Sequence, residues 1–470
     1  METRRALLRQ DARSILGQAW PVFIGQAAVV AFSTVDTAVA ARASSLDLAA
    51  LAIGSAVYVT VFVALMGVVL SVGPIAGQLF GAGKPLEAGA QLHQALWLAL
   101  GASLLGCTLL LFPHPFLSLS QASPEVAEKV RAYLGALAFA LPCALLFTAF
   151  RGFNSAVSRP KIVMALQLGA LLLKVPLSVL FVFGLDLGQW RLPAQGAAGC
   201  GIATAVVMAG QLVAAWLLLR RDPFYAPFGL HRRLSRPHRA SLRALLRLGI
   251  PMSLSIAVEV TGFTFMALFI SRIGATQVAG HQIALNLLSL MFMMPMAIGN
   301  ATSTLVAQRI GASDVAPAQR LGWNGLLLGM GVAALLGAAV YALRMPVLQL
   351  YTRDEAVLAV ALPLLAWLVL FHVADAAQII AAFILRAYRI ATVPLLIYAV
   401  AIWGVGLGGG YVLAFDSWGI SPATLSGTSG AAGYWAAATA GLVLAASGLC
   451  GFLVWMQYER RGAPNAPRQP

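Results

Sequence analysis

The chain has 470 residues, of which 60% are hydrophobic and only 10% are charged, so it is too apolar for a soluble globular protein. Its 31 Lys and Arg residues outnumber its 16 Asp and Glu residues and give a formal net charge of +15. Contact with anionic lipid headgroups explains this charge without any nucleic-acid partner, and the composition predicts an integral membrane protein.

Apolar stretches of about 20 residues recur between polar breaks, and this is the length of helix that crosses ~30 Å of hydrocarbon. There are twelve such stretches, six in each half of the chain. They predict an all-α integral membrane protein with twelve transmembrane helices. The cores of the stretches cover residues 15–40, 48–73, 92–113, 130–152, 162–184, 196–219, 245–270, 281–305, 321–343, 357–383, 393–414 and 432–456.

The longest connection joins the two halves and is basic and rich in Pro and His. We predict an N-terminal six-helix bundle at residues 1–220, a basic cytoplasmic linker at 221–244 and a C-terminal six-helix bundle at 245–470. Lys and Arg are concentrated in this linker, near both chain ends and in alternate connections. Because cytoplasmic loops carry an excess of Lys and Arg, we expect both termini to be cytoplasmic.

The two halves contain an internal repeat. The stretch from Pro21 to Gly83 reappears as Pro251 to Ser313 at a constant offset of 230 residues, without a gap. The matching positions include Pro, Arg, Phe, Met and Gln, which coincidence between Ala-rich helices does not explain. The repeat indicates that both halves descend from one ancestral unit.

Four ionisable side chains lie well inside the predicted spans, namely Asp36, Lys174, Glu259 and Asp375. A charged group at a helix centre costs about 2.5–3.5 kcal/mol on insertion scales, so such residues are usually functional. The alternative is that some of them pair only to hold helices together. Lys174 needs a partner, and Asp36 is the one acid that the pattern places in the same bundle, so we predict a buried ion pair between them.

One proline predicts a bend in the first helix, and motifs for metal binding and phosphate binding are not found. Pro21 lies fifteen residues before Asp36 on the same predicted helix, where a proline removes a backbone hydrogen bond and produces either a static kink or a hinge. No spacing typical of a metal site or of a phosphate-binding loop is present, so nothing in the sequence indicates direct use of ATP.

Several stretches together resemble the multidrug and toxin extrusion (MATE) family, in its NorM-type branch, and the resemblance covers essentially the whole chain. The stretches are FSTVDTAVAARASSLDLAALAIG with Asp36, GPIAGQLFGAG, KVPLSVLFVFG, GCGIATAVV, VEVTGFTFMALFISRIGATQVAGHQIALNLLSLMFMMPMAIG with Glu259, and DAAQIIAAFILRAYR with Asp375. The resemblance implies two six-helix bundles related by a pseudo-twofold axis.

The resemblance also implies roles for particular residues. Glu259 and Asp375 would form a cation site in the second half, with Na⁺ as one candidate ion, and Asp36 would act in cation coupling in the first half. The remaining expected roles are Thr204 in the first-half cavity, Pro21 as a hinge of the first helix, and Phe263, Gln282, Asp354 and Phe371 in the drug cavity.

This sequence departs from the family pattern at three of these positions. Lys174 and Ser178 stand in the first-half cavity where many relatives carry two Asn residues, and Phe371 stands where relatives carry a Tyr one turn before the acid of the tenth helix. The first departure puts a cation site in the first half in doubt, and the second removes a hydroxyl ligand from the site in the second half.

The resemblance implies secondary multidrug efflux, in which amphipathic and often cationic drugs leave as Na⁺ or H⁺ enters. We expect no cofactor beyond this coupling ion, a monomer in contact with drugs, organic cations and membrane lipids, and a multi-pass protein of the bacterial inner membrane. One alternative is a lipid-linked precursor flippase of the same superfamily, which would need a basic groove where this chain places three acids. The other is an intramembrane enzyme, for which the spans offer only scattered hydroxyls and His residues.

Overall fold

The computed structural model describes residues 2–114, 116–117, 123–186, 191–231, 234–415 and 430–462. Within these residues, twelve helices are long and apolar enough to cross a membrane, and each coincides with one predicted stretch. The predicted all-α architecture is therefore confirmed. In chain order, the first to twelfth spans are Arg5–Ala43, Ser45–Gly81, Pro85–Leu111, Pro124–Ala156, Pro160–Phe183, Ala197–Arg221, Arg239–Ser271, Ala275–Gly311, Val315–Ala342, Glu355–Ala387, Thr392–Phe415 and Ala431–Glu459.

Most spans are single helices, and two are composite. The helix of the first span begins at Glu2 and that of the twelfth ends at Gly462. The second span consists of the helices Ser45–Leu70 and Val72–Gly81. The eleventh span begins and ends as α-helix but is a π-helix in its middle, with segments Thr392–Tyr398, Ala399–Gly408 and Gly409–Phe415.

In the parts of the connections that the structure describes, there is little regular structure. A 3₁₀-helix covers Pro223–Phe228, and a short α-helix covers Arg344–Tyr351. Strand β1 (Leu185–Asp186) pairs antiparallel with strand β2 (Arg191–Leu192) between the fifth and sixth spans. The polar breaks predicted from the sequence thus correspond to short connecting elements.

Proline interrupts the hydrogen bonding of several spans, since it lacks an N–H group. Pro21 is buried within the first helix, and its predicted role as a hinge stays a prediction. The other prolines inside helices of the spans include Pro142, Pro176, Pro251, Pro295 and Pro363.

The chain forms two compact units. We call Trp20–Ser253 the N-unit, and Met1–Ala19 together with Leu254–Pro470 the C-unit. An ion pair between Arg320 and Asp11, at 2.9 Å, lies within the C-unit and ties the start of the chain to the ninth span. The units are defined by spatial contacts, and the domain boundaries at residues 220 and 245 stay predictions from the sequence pattern.

Each unit is built around one central span. The fourth span packs against the second, third and sixth in the N-unit, and the tenth packs against the eighth, ninth and twelfth in the C-unit. These two spans hold equivalent places in the two halves. Small residues permit the close packing, since a Cβ atom added at Gly106 would overlap Leu141 of the fourth span, and one at Gly280 would overlap Val360 of the tenth.

Candidate functional site

The N-unit contains a buried ion pair between the first and fifth spans. The Nζ atom of Lys174 lies 2.8 Å from Oδ1 of Asp36, and the Lys174 side chain is fully buried. The ammonium group also donates to Oγ1 of Thr204 at 2.6 Å and to the carbonyl oxygen of Cys200 at 3.0 Å. These three acceptors use all three N–H donors of the ammonium. The predicted pairing of Lys174 with Asp36 is confirmed.

Helix periodicity brings the other predicted residues of the first half to this pair. Lys174 and Ser178 are four residues apart on the fifth span, and Cys200 and Thr204 are four apart on the sixth, so each couple shares a helix face. The Ser178 hydroxyl donates to Oδ1 of Asp36 at 3.2 Å, and the Thr204 hydroxyl donates to the Cys200 carbonyl at 2.9 Å. The result is a closed, charge-balanced network, which is the condition for a buried ion pair to be tolerated.

The C-unit brings two acids together without a lysine. Glu259 lies on the seventh span and is half-buried, and Asp375 lies on the tenth span and is buried. Nε2 of Gln378 donates to Oδ1 of Asp375 at 3.0 Å, and the Gln378 side chain also lies close enough to Glu259 to interact with it. The two carboxylates are close enough to interact electrostatically. The structure thus joins the two predicted acids through one amide.

Two further side chains complete the surroundings of the acids. The buried guanidinium of Arg386 interacts electrostatically with Glu259 and lies 4.8 Å from the ring centroid of Phe383. The buried Tyr398 interacts electrostatically with Glu259 and Asp375. Within the described part of the chain, neither Oε1 of Gln378 nor the hydroxyl of Tyr398 has a hydrogen-bond partner. Buried polar atoms are rarely left unpaired, so these two oxygens are available to a ligand.

An apolar cleft that is partly open to solvent lies in the C-unit near the acids. Two of the predicted drug-cavity residues, Phe263 and Phe371, line it, and their ring centroids are 6.0 Å apart. Phe263 follows Glu259 by four residues, and Phe371 precedes Asp375 by four. The cleft therefore begins about one helical turn from each carboxylate. The other lining residues are Gly262, Met266, Ile402, Gly406, Leu407, Ala438 and Leu442.

The π-helical part of the eleventh span forms one wall of this cleft. It carries Trp403, whose Nε1 atom donates to the carbonyl oxygen of Val258 at 3.0 Å. That carbonyl belongs to the peptide bond that leads into Glu259. Close approach of the two helices depends on Gly262, since a Cβ atom there would overlap Ile402. Short π-helical segments occur frequently at functional sites, and this one joins the cleft to the backbone at Glu259.

Two of the predicted drug-cavity residues lie outside this cleft. Gln282 is exposed, about two helical turns inside the eighth span. Asp354 is also exposed and caps the helix of the tenth span, accepting a hydrogen bond from the backbone N–H of Ala356 at 2.9 Å. Such caps stabilise helix termini, which gives Asp354 a structural role. Drug binding by Gln282 and Asp354 stays a prediction.

Sequence reasoning missed several residues of the two sites. Gln378 and Arg386 lie three and eleven residues after Asp375 on the same helix, so a helical projection from Asp375 could have found Gln378. Tyr398, Trp403 and the carbonyl of Cys200 approach the sites only through packing between spans.

Comparison with models of known protein families matches the chain to the MatE family. The MatE family model matches the chain twice, at residues 21–180 and 251–412. The two matches begin at Pro21 and Pro251, the first residues of the predicted repeat, which is thereby confirmed.

Relatives of similar length extend this match. The chain is 40% identical over 451 residues to a probable multidrug resistance protein NorM of Aromatoleum aromaticum, covering 96% of this chain and 95% of the relative. It is 32% identical over 458 residues to the multidrug resistance protein NorM of Vibrio cholerae, covering 96% and 97% of the two chains.

Solved structures agree in fold. The eukaryotic MATE transporter AtDTX14 superimposes with a TM-score of 0.83 at 18% identity, covering 97% of this chain and 99% of that one. A multidrug resistance MATE family transporter in an outward-facing conformation gives a TM-score of 0.82 at 19% identity, with 97% and 98% covered. At these identities the structures support the fold alone.

Proposed function

Because the chain belongs to the MatE family, we propose that it is a secondary active multidrug efflux transporter that exchanges amphipathic, often cationic, drugs for Na⁺ or H⁺. Its relatives are named as multidrug resistance proteins and match it over nearly their whole length. It is a transporter and not an enzyme. The observation that carries the proposed exchange is the pair Glu259 and Asp375, about one helical turn from residues that line an apolar cleft.

The C-unit acids are suited to bind an exchangeable cation. Two neighbouring carboxylates repel each other when both are ionised, and a proton or a metal cation between them relieves the repulsion. Among the described residues, no group of three or more His, Cys, Asp or Glu side chains could hold a metal ion. A Na⁺ ion at Glu259 and Asp375 would therefore take further oxygen ligands from groups such as the Gln378 amide and the Tyr398 hydroxyl.

The cleft is suited to the apolar part of a drug. Ligand pockets combine apolar and aromatic lining with a few charged groups, and here the lining of Phe263 and Phe371 lies one turn from the acids. A drug whose aromatic part occupies the cleft would place a cationic group near Glu259 and Asp375. Drug and coupling ion would then compete for the same carboxylates. Competition drives transport only if the two ligands differ in affinity for the two access states of the protein.

Efflux from loaded vesicles tests this proposal. Ethidium or norfloxacin efflux is measured first under an imposed Na⁺ gradient and then under an imposed pH gradient, for the natural protein and for Glu259→Gln and Asp375→Asn. We expect both substitutions to abolish gradient-driven efflux, since each removes a cation ligand with little change of shape. Glu355→Gln is the matched control, because this exposed acid opens the same helix as Asp375. Unimpaired efflux in either site variant removes that residue from the mechanism.

The cellular setting belongs to the same proposal. The twelve apolar spans make this a multi-pass membrane protein. We propose that it works as a monomer in the bacterial inner membrane, with both termini in the cytoplasm. The excess of Lys and Arg in the linker and in alternate connections supports this orientation.

A further inference from the structure

The basic segment between the sixth and seventh spans is fastened to the third span within the N-unit. The Gln94 side chain donates to the carbonyl of Arg236 at 3.0 Å and accepts from the N–H of His238 at 2.7 Å. Nε1 of Trp97 donates to the carbonyl of Ser235 at 2.9 Å. These bonds hold the backbone of residues 235–238 in place. The side chains of this segment therefore project from a defined surface.

Four exposed arginines project from this surface and from the helix that follows it, namely Arg236, Arg239, Arg243 and Arg247. The last three are spaced by four residues at the start of the helix Arg239–Ser271, so they form one stripe along a helix face. None of the four has an acidic partner within the ranges that the structure describes. Like charges at this spacing repel, so the stripe favours an external anion.

The same helix face becomes apolar immediately after the stripe. Ile250 follows Arg247 by three residues and Leu254 follows Ile250 by four, so both lie near the same helix face, and 47% and 49% of their surfaces are exposed. An exposed face that changes from arginine to aliphatic side chains is typical of a helix passing from the headgroup layer into hydrocarbon. A helix face of this kind would place the stripe at the level of the lipid phosphates.

We propose that Arg239, Arg243 and Arg247, with Arg236 at the edge, bind the phosphate headgroups of anionic phospholipids. The planar guanidinium group bonds phosphate oxygens in a bidentate manner that lysine does not reproduce. The stripe begins at a helix N-terminus, where the helix dipole adds to the attraction for an anion. This site is separate from the proposed drug exchange and does not depend on it.

Equilibrium binding of a fluorescent phosphatidylglycerol to the purified full-length protein tests the proposal, with the phosphatidylcholine analogue as the neutral probe. Each arginine near a charged bilayer surface contributes about fivefold in affinity. The triple variant Arg239→Gln, Arg243→Gln, Arg247→Gln should therefore bind phosphatidylglycerol on the order of 100-fold more weakly. Arg243→Lys should lose part of the affinity, because it keeps the charge and loses the bidentate geometry.

The matched control removes three exposed arginines that are far from the stripe along the chain, as Arg42→Gln, Arg131→Gln, Arg272→Gln. Retained binding in this control, together with the loss in the stripe variant, supports the proposal. Equal losses of phosphatidylglycerol affinity in both triple variants would mean that only the net charge of the protein matters. Displacement of the lipid by inorganic phosphate at the same phosphate concentration would indicate a site for free anions. Either result overturns the proposal. Melting curves in pure phosphatidylcholine check folding, and if the triple variant melts early there, Arg243→Lys alone decides.

Discussion

Neutralising one member of the Asp36–Lys174 pair should destabilise the protein more than neutralising both. In Asp36→Asn, the buried ammonium keeps only the neutral acceptors Thr204 Oγ1 and the Cys200 carbonyl. In Lys174→Asn, the buried carboxylate keeps the Ser178 hydroxyl at 3.2 Å and loses its counter-ion. Each single variant leaves an uncompensated buried charge, which typically costs about 3–5 kcal/mol.

The double variant should recover much of this loss, because it leaves no net charge in the site. Thermal melts in detergent of the natural protein and the three variants close a double-mutant cycle. We expect a coupling energy larger than the loss in either single variant, thus more than about 3–5 kcal/mol, because only then is the double variant more stable than each single variant. The exposed pair Arg309–Asp314, at 3.2 Å, provides a control cycle with an expected coupling of about 0–1 kcal/mol. Strictly additive losses at Asp36 and Lys174 would refute the reasoning. Efflux by the double variant then distinguishes two roles of Asp36. Poor transport by a folded double variant indicates a role in coupling, and normal transport indicates that the pair only holds the helices together.

Three further predictions concern single contacts and orientation. Thr204→Val should cost about 1–3 kcal/mol in melting experiments, because it leaves one N–H of Lys174 unpaired, whereas Thr204→Ser should be close to neutral. Trp403→Phe should cost about 0.5–1.5 kcal/mol of stability and weaken drug efflux, because it removes the donor to the Val258 carbonyl. Trp455→Phe, at an exposed position of the twelfth span, is the control. Equal losses of stability and efflux in the two variants would show that the Trp403 hydrogen bond has no special role. Reporter fusions near residue 230 and at the C-terminus should be cytoplasmic, and one near Asp416 should be external. Asp416 and the C-terminus lie outside the described residues. External labelling near residue 230 would show that the predicted orientation is wrong.

The sequence was sufficient to predict the spans and the first-half ion pair because both follow from simple energetic requirements. A helix that crosses hydrocarbon must be apolar over about 20 residues, and an ammonium buried among such helices needs an acid. Lys174 and Asp36 were the only candidates in the first half, so their contact at 2.8 Å required no knowledge of helix packing.

The remainder of the site depends on packing that periodicity does not encode. Trp403 reaches Val258 from a span 145 residues further along the chain, and the π-helix that presents it has no established sequence signature beyond the nearby glycines. Gln94, Trp97 and Ser235 read as ordinary polar or aromatic residues, and only the fold shows that they fix the basic segment. Hydrogen bonds between a side chain and a backbone group far away in the sequence are therefore not predictable from a single sequence.

The two units solve the problem of a buried carboxylate in different ways. In the N-unit, Asp36 is neutralised by Lys174, a cation that belongs to the protein and whose donors are all used. In the C-unit, Arg386 interacts electrostatically with Glu259, Asp375 interacts with Glu259 and Gln378, and two oxygens beside them have no partner in the described structure. Charge balance is complete in the first case and lacks one positive charge in the second. We therefore propose that the C-unit acids take up an exchangeable proton, Na⁺ ion or cationic drug, and that ion coupling depends more directly on Glu259 and Asp375 than on Asp36.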